Sequence, residues 1–136
     1  MLKTQYRFTV EWGDCDPADI VFYPNYLKWM DTSTRYLFKA AGLEIMRMFT
    51  ELDMVGLPIV DAHANFKIAS TVGDELVVES WVEEWRGKTF LVRHNILKQG
   101  ALAVEGHELR IWGIRHPETR ALKAGVVPAD IVACFG

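Results

Sequence analysis

The segment of residues 24–41 most constrains the fold, because the helix that it predicts is apolar on more than one side. Pro24 suits the first turn of a helix, where its missing N–H loses no partner, and Gly42 ends the run. About 18 residues make a helix roughly 27 Å long. Apolar or small residues recur at three- and four-residue steps, with aromatic residues beside them: Leu27, Met30, Thr34, Leu37 and Ala41, then Tyr26, Trp29, Tyr36 and Phe38. Such a helix needs a surface that wraps around it.

The rest of the chain predicts consecutive strands. Residues 4–12 alternate, with one side formed by Tyr6, Phe8, Val10 and Trp12. Further strands are predicted at 59–72, 75–85, 89–98 and 101–115, an edge strand at 121–127, and helical segments at 43–54 and from 128. This order predicts an α+β single domain, residues 1–136, in which a curved antiparallel sheet wraps the long helix. Its free edge strand and outer face favour self-association.

Composition excludes several classes of function. The net charge of −3 provides no basic face for a nucleic acid, and no apolar run reaches the ~18 residues of a membrane span. Cys15 and Cys134 form no CxxC motif, and the four histidines show no metal-ligand spacing, so we expect neither a zinc site nor a disulfide. A cytoplasmic protein is the expectation.

An acidic loop joins the first strand to the long helix, with Asp14, Asp16 and Asp19 around Pro17. A carboxylate in a turn before a helix can attack a carbonyl or accept a proton. The free backbone N–H groups at the helix start can hold a developing oxyanion. We therefore take Asp16 as the candidate catalytic carboxylate. The alternative is that Asp16 only shapes the turn, as aspartate commonly does.

Four stretches carry a family pattern: Gly13-Asp14-Cys15-Asp16-Pro17-Ala18-x-Ile20-Val21-x-x-Pro24-Asn25-Tyr26-x-x-Trp29-x-Asp31, Gly56-x-Pro58-Ile59-Val60, Glu84-Trp85-Arg86-x-Lys88-Thr89-Phe90 and Val127-Pro128-Ala129-Asp130. This pattern resembles the hotdog-fold acyl-CoA thioesterases, especially their 4-hydroxybenzoyl-CoA thioesterase-like branch. The resemblance implies a five-stranded sheet wrapped around the central helix. It also implies homodimers with continuous sheets, often paired as a homotetramer, with active sites at the dimer interface.

The resemblance further implies hydrolysis of an acyl-CoA thioester, with an aromatic, hydroxybenzoyl-like acyl group favoured. Asp16 would act as nucleophile or as general base, and the residues leave both routes open. Tyr23 would hold the thioester oxygen with its backbone N–H. A thioester is already activated, so neither a metal nor a cofactor beyond the substrate's coenzyme A is expected.

Substrate contacts also follow from the resemblance. Asp31 would accept a hydrogen bond from an aromatic hydroxyl, with Trp29 and His63 also near the acyl group. The phosphates of coenzyme A would be met by a hairpin containing Arg86, Lys88 and Thr89. From the residues alone, simpler interpretations stand beside these: an exposed helical aspartate, a strand histidine satisfied by its neighbours, and charges on a surface turn.

One position departs from the family pattern, because Asp19 stands where the family usually has glycine. Other functions also stay open. The chain could hydrolyse short or medium aliphatic acyl-CoA, bind acyl-CoA without catalysis, or act as a hotdog hydratase, although the His/Asp pairing of that class has no evident place here.

Overall fold

The computed structural model describes residues 1–136. The strands are β1 (Lys3–Thr9), β2 (Ile59–Phe66), β3 (Glu75–Trp85), β4 (Thr89–Lys98), β5 (Ala101–Arg115) and β6 (Leu122–Gly125). The α-helices are α1 (Pro24–Ala40), α2 (Ile45–Glu51) and α3 (Ala129–Ala133), and a short 3₁₀ helix covers Trp12–Asp14. None of the three α-helices combines the length and the hydropathy needed to span a bilayer.

All strands pair antiparallel, in the order β1-β3-β4-β5-β2, with β6 paired to the end of β5. This confirms the predicted α+β architecture, but the sheet has six strands where five were expected from the family. The sixth forms because β4 begins opposite Ile111, so β5 continues past it. Beyond that point, residues 112–115 pair with β6 instead.

The long helix forms as predicted, and most of the predicted stripe is buried, with Leu27 as the exception. Met30, Leu37 and Phe38 have no exposed surface, and Tyr26 and Trp29 are also buried. Leu27, which the periodicity placed in the core, is 37% exposed. Three of the four aromatic residues beside the stripe are therefore buried, and these large side chains bury more apolar area than a leucine does, whereas Tyr36 is 38% exposed.

Several predicted boundaries were too long. β1 ends at Thr9 rather than at residue 12, since the 3₁₀ helix turns the chain and leaves Trp12 84% exposed. β2 ends at Phe66, where the N–H groups of Lys67 and Ile68 both donate to the carbonyl of Ala103 and break the ladder. The second helix spans 7 residues instead of 12.

A polar layer crosses the core halfway along α1. It separates an apolar cluster around Met30 from another around Phe38 and consists of Ser33, Thr34, Ser80, His94, Glu108 and Arg110, all buried. The Ser80 hydroxyl lies 2.6 Å from the Ser33 hydroxyl and 2.6 Å from His94 Nδ1. His94 Nε2 lies 3.0 Å from Glu108 Oε1, and Arg110 donates to both oxygens of Glu108. Every buried polar group of the layer is thus hydrogen-bonded, as a low-dielectric interior requires.

Glu108 is ionised within this layer. Burial by itself would raise its pKa, but the hydrogen bond and charge of His94, together with Arg110, outweigh burial and lower the pKa from 4.5 to about 2. A lowered native pKa stabilises the fold fully above the unfolded value, and that stabilisation disappears as pH falls from about 4.5 towards 2.

Glu108→Gln tests this coupling. A shift of this size corresponds to about 3 kcal/mol of unfolding free energy at neutral pH, because the native state favours the charged form. We expect the mutant to be less stable at pH 7, and the gap from wild type to shrink as pH falls from 4.5 to 2. Urea unfolding at fixed protein concentration measures it. Glu83→Gln, which removes an exposed partner of Arg93, is the control and should show a much smaller gap. A gap for Glu108→Gln that does not change with pH would contradict the assignment.

Candidate active site

The acidic loop forms a closed turn with Asp16 at its first position. The Asp19 N–H donates to the Asp16 carbonyl over 2.9 Å, and Pro17 occupies the second position, where its fixed φ is favourable. The Ala18 N–H donates to Asp16 Oδ1 over 2.8 Å, and the Asp16 N–H donates to the Ile20 carbonyl over 2.9 Å. The carboxylate is therefore held by one oxygen, while no group of the chain donates to Oδ2.

This turn is anchored to the start of α1 through one backbone carbonyl. The Asp14 carbonyl accepts from the Phe22 N–H at 2.9 Å and from the Asn25 side-chain amide at 2.8 Å. The Asp14 carboxylate accepts from the Glu11 N–H at 2.9 Å, so Asp14 organises the loop. The position of Asp16 is consequently tied to the first turn of the helix.

The backbone N–H of Tyr23 has no acceptor in the chain, whereas the next two N–H groups are used. Asn25 donates to the Phe22 carbonyl and Tyr26 to the Tyr23 carbonyl, and Pro24 has no N–H. Helix starts leave such donors free, and they carry the positive end of the helix dipole. The Tyr23 N–H is thus left without a partner in the chain, at the place where the sequence predicts an oxyanion donor.

A cavity of about 350 Å³ opens beside Tyr23, between the end of the acidic loop, the first turn of α1 and the end of β2, and Asp16 is not among the residues that line it. Seven of its eight lining residues are hydrophobic: Ile20, Val21, Tyr23, Tyr26, Phe66, Ile68 and Ala69, with Lys67 as the eighth. Such a lining suits an apolar or aromatic acyl group. The sequence did not predict that Phe66 and its neighbours line this cavity, because only the folded sheet brings them close to the first turn of α1.

Asp31 lies eight residues after Tyr23, about 12 Å farther along the helix. Its carboxylate is 62% exposed, and Oδ1 accepts a hydrogen bond of 2.6 Å from Arg110. The structure therefore pairs Asp31 with a residue that sequence reasoning did not single out.

Two further predicted contacts, Trp29 and His63, lie away from this cavity. Trp29 is 8% exposed and packs in the core, its ring centroid 4.4 Å from that of Phe8. His63 lies on β2 and stacks on His107 of β5. The residues on either side of His107 in β5 face the helix, so the two histidines lie on the opposite face of the sheet. His107 also contacts the Asp61 carboxylate at 3.1 Å. Within one chain, neither Trp29 nor His63 lines this cavity.

The hairpin with Arg86, Lys88 and Thr89 lies at the other end of the molecule. The next residue, Phe90, packs on Phe38 near the end of α1. The helix has 17 residues and is therefore about 26 Å long, and the acidic loop lies at its other end. Arg86 donates to Glu84 over 2.8 Å, and this hydrogen bond and charge raise the pKa of Arg86. A single chain does not bring this hairpin to Asp16.

Two alternative chemistries lack a site. Ser80, His94 and Glu108 follow one another like a serine, histidine and acid triad, but Ser80 and His94 have no exposed surface, so no substrate reaches them. No three histidine, cysteine or acidic side chains come together in a way that could hold a metal ion. The signal for the buried acid was present in β5, where Glu108 and Arg110 occupy inward-facing positions.

The sequence profile of the Thioesterase-like superfamily matches residues 10–129. The 4-hydroxybenzoyl-CoA thioesterase of Pseudomonas sp. (strain CBS-3) is 36% identical over 129 residues, 90% of each chain. An aspartate-to-asparagine mutant of 4-hydroxybenzoyl CoA thioesterase, crystallised with 4-hydroxybenzoyl CoA, superimposes with a TM-score of 0.90 at 34% identity, covering 98% of this chain and 99% of that one. A gentisyl-coenzyme A thioesterase superimposes with a TM-score of 0.83 at 32% identity, covering 97% and 98%.

Asp19, the departure from the family pattern, adopts a left-handed conformation with φ of 66°. Aspartate tolerates this region better than most residues, but glycine carries no steric cost there. The charge of Asp19 is also felt in the loop, because the pKa of the Cys15 thiol is raised, first by desolvation and then by Asp19. Position 19 therefore combines backbone strain with a negative charge close to the Cys15 thiol.

Asp19→Gly should stabilise the protein by about 0.5–1 kcal/mol, because relief of the left-handed strain exceeds the added flexibility of the unfolded chain. Thermal unfolding at constant protein concentration measures the change. Asp19→Asn, which keeps the tolerance for this backbone region and removes only the charge, separates the two causes. A glycine variant that melts below wild type would contradict the strain argument.

Proposed function

The chain belongs to the Thioesterase-like superfamily and has the hotdog fold, and from this membership we propose how it hydrolyses an aromatic acyl-CoA thioester. Relatives more than 30% identical over almost the whole chain are named for hydroxylated aromatic substrates, 4-hydroxybenzoyl-CoA and gentisyl-CoA. The observation that carries the mechanism is the free Oδ2 of Asp16, in a turn tied to the helix start where the Tyr23 N–H is also free.

In this mechanism the Tyr23 N–H donates to the thioester oxygen and polarises the carbonyl. Such a donor lowers the barrier by about 3–4 kcal/mol when it meets the negative charge of the transition state. Asp16 Oδ2 then either attacks the carbonyl carbon, forming an anhydride and expelling the coenzyme A thiolate, or removes a proton from the attacking water. In the first route water hydrolyses the anhydride. Both routes give the free acid and the coenzyme A thiol and need no cofactor.

The aromatic acyl group is assigned to the cavity beside Tyr23. Its lining includes three aromatic rings, Tyr23, Tyr26 and Phe66, which offer flat apolar surfaces to a benzoyl group. Asp31 lies farther along the same helix with an exposed carboxylate, and we assign it to the hydroxyl of the acyl group. A site that hydrogen-bonds a substrate hydroxyl discriminates strongly against the analogue lacking it.

A second copy of the chain completes the site in this proposal. β2 is the edge strand next to β5, and its apolar residues Ile59, Val60 and Phe66 are exposed. An open edge with exposed apolar side chains favours pairing with the same edge of another chain. Antiparallel pairing of two β2 strands forms one continuous sheet across a homodimer, and two such dimers form the homotetramer that we expect.

This pairing also explains the remote hairpin. Phe66 lies at the Tyr23 end of β2, whereas Ile59 lies beside Arg110, which pairs with Phe90 next to the hairpin. An antiparallel partner therefore brings its own hairpin to the Asp16 end of the first chain. Arg86, Lys88 and Thr89 of each copy then contact the phosphates of the coenzyme A held by the other copy. The cysteines, Cys15 and Cys134, are both free, which supports our proposal of a cytoplasmic, reducing location.

Asp16→Asn tests the reacting carboxylate. The asparagine amide oxygen still accepts the Ala18 N–H, so the turn is kept, whereas the nucleophile or base is lost. We expect kcat to fall by about 10²–10⁴ on benzoyl- and hydroxybenzoyl-CoA, with unfolding unchanged. Release of free thiol measures turnover, and hexanoyl-CoA in the same panel tests aliphatic activity.

Asp19→Asn is the matched control, because it changes another carboxylate of the same loop and should leave most of the turnover. Near-normal turnover by Asp16→Asn would remove Asp16 from the mechanism. A wild-type protein that binds these esters without releasing thiol would support an acyl-CoA-binding protein instead.

The double mutant Arg86→Ala, Lys88→Ala tests the phosphate contacts. We expect KM for the full coenzyme A ester to rise about tenfold or more, because two cationic partners of the phosphates are lost. KM for the matching pantetheine ester, which lacks the nucleotide phosphates, should change little. Lys98→Ala is the control at a lysine paired with Asp74. Equal effects on both esters would refute the phosphate role.

A further inference from the structure

Arg110 reaches from β5 to the central helix and donates to three different parts of the protein. One terminal nitrogen donates to Asp31 Oδ1 over 2.6 Å, and the other donates to the Leu57 carbonyl over 2.8 Å. Its Nε and one terminal nitrogen also donate to Glu108, over 3.2 Å and 3.0 Å. The side chain is 8% exposed, so this fork has little freedom to rearrange.

Glu108 is the main counter-charge of this buried guanidinium. Burial would lower the pKa of Arg110, but the charge and hydrogen bonds of Glu108, followed by those of Asp31, raise it. Glu108 is in turn held by His94 and Thr34 from two other elements. A fixed cation is therefore built into the core with one of its donors directed at Asp31.

Asp31 has a different environment, because its carboxylate is mostly exposed and Arg110 is the group that holds it. An exposed helical aspartate without a partner samples several rotamers, and each fixed side chain costs entropy. No group of the chain donates to its Oδ2, so one oxygen is fixed by the guanidinium and the other is open to a ligand. The same guanidinium fixes the Leu57 carbonyl, two residues before β2 begins at Ile59.

We infer that Arg110 is a positioning residue that aims Asp31 at the hydroxyl of the aromatic acyl group. The inference rests on the proposed function, in which Asp31 accepts that hydroxyl. Arg110 itself does not touch the substrate. It fixes one carboxylate oxygen of Asp31 relative to the start of β2, so the second oxygen meets the hydroxyl without first being ordered. Discrimination between hydroxylated and plain aromatic substrates is therefore set from inside the core.

The measured quantity is the ratio of kcat/KM for 4-hydroxybenzoyl-CoA to that for benzoyl-CoA. Arg110→Lys keeps the charge near Glu108 but loses the planar fork that reaches Asp31. We expect this variant to lower the ratio about tenfold, mainly by lowering kcat/KM for the hydroxylated substrate, because a misplaced Asp31 no longer forms a good hydrogen bond with the hydroxyl. Arg93→Lys, at an arginine that donates to Glu83 on the surface, is the matched control and should leave the ratio unchanged.

A double-mutant cycle with Asp31→Asn separates positioning from general stability. If Arg110 acts through Asp31, the Asp31→Asn, Arg110→Lys double mutant has the same ratio as Asp31→Asn. Additive losses, or an equal loss on both substrates with the ratio unchanged, would overturn the inference.

If Arg110→Lys does not fold, the Glu108→Gln, Arg110→Met pair removes both buried charges together and enters the same cycle. A ratio that Asp31→Asn does not alter would overturn the role of Asp31 and this inference together, while hydrolysis of benzoyl-CoA would still stand. Absence of turnover on both esters by the wild-type protein would instead overturn the proposed function.

Discussion

Burial of α1 inside the sheet is the constraint on which the rest of the molecule depends. Met30, Leu37 and Phe38 have no exposed surface, and each buried side chain of this kind stabilises the fold by about 1.5–3 kcal/mol. The helix cannot shift or rotate without exposing them. Its first turn is therefore fixed in space, and the Asp14 carbonyl ties the acidic loop to that turn. The position of the Asp16 carboxylate relative to the Tyr23 N–H thus depends mainly on the packing of buried residues farther along α1.

The polar layer inside this packing has a different physical role. Buried ion pairs contribute little net stability, because desolvation of the charges offsets their attraction. Their hydrogen bonds are directional, however, whereas apolar contacts allow a helix to settle at several rotations. Arg110 and Glu108 join β5 to Asp31 and Thr34 of the helix at the level where the two apolar clusters meet. The helix is therefore joined to the sheet at this level by directional hydrogen bonds as well as by apolar packing.

The sequence predicted well what is local and poorly what depends on distant pairing. Asp16 and Tyr23 lie seven positions apart, so a turn followed by a helix start was enough to relate them. Asp31 and Arg110 are separated by 79 positions, and only the sheet brings them together. Periodicity gave the length of α1, but a helix apolar on several sides does not reveal which side faces the sheet. Leu27 was therefore placed in the core, although it is 37% exposed.

The strands show the same division. Turn residues located the β3–β4 and β4–β5 hairpins, because their signals lie in the turns themselves. β1 and β2 end where the neighbouring strand no longer provides hydrogen-bond partners for their backbone. The residues at these ends carry no local pattern that would predict this.

The hairpin and the acidic loop of one chain are separated by about the length of α1, so the activity obtained from a given amount of protein depends on how much of it is dimeric. In the proposed dimer every reaction centre draws its two halves from different molecules. Dilution would therefore reduce specific activity as the subunits dissociate. Added chains without a working hairpin would pair with intact chains and inactivate the reaction centres that need that hairpin. The catalyst would respond to its own abundance as well as to that of its substrate.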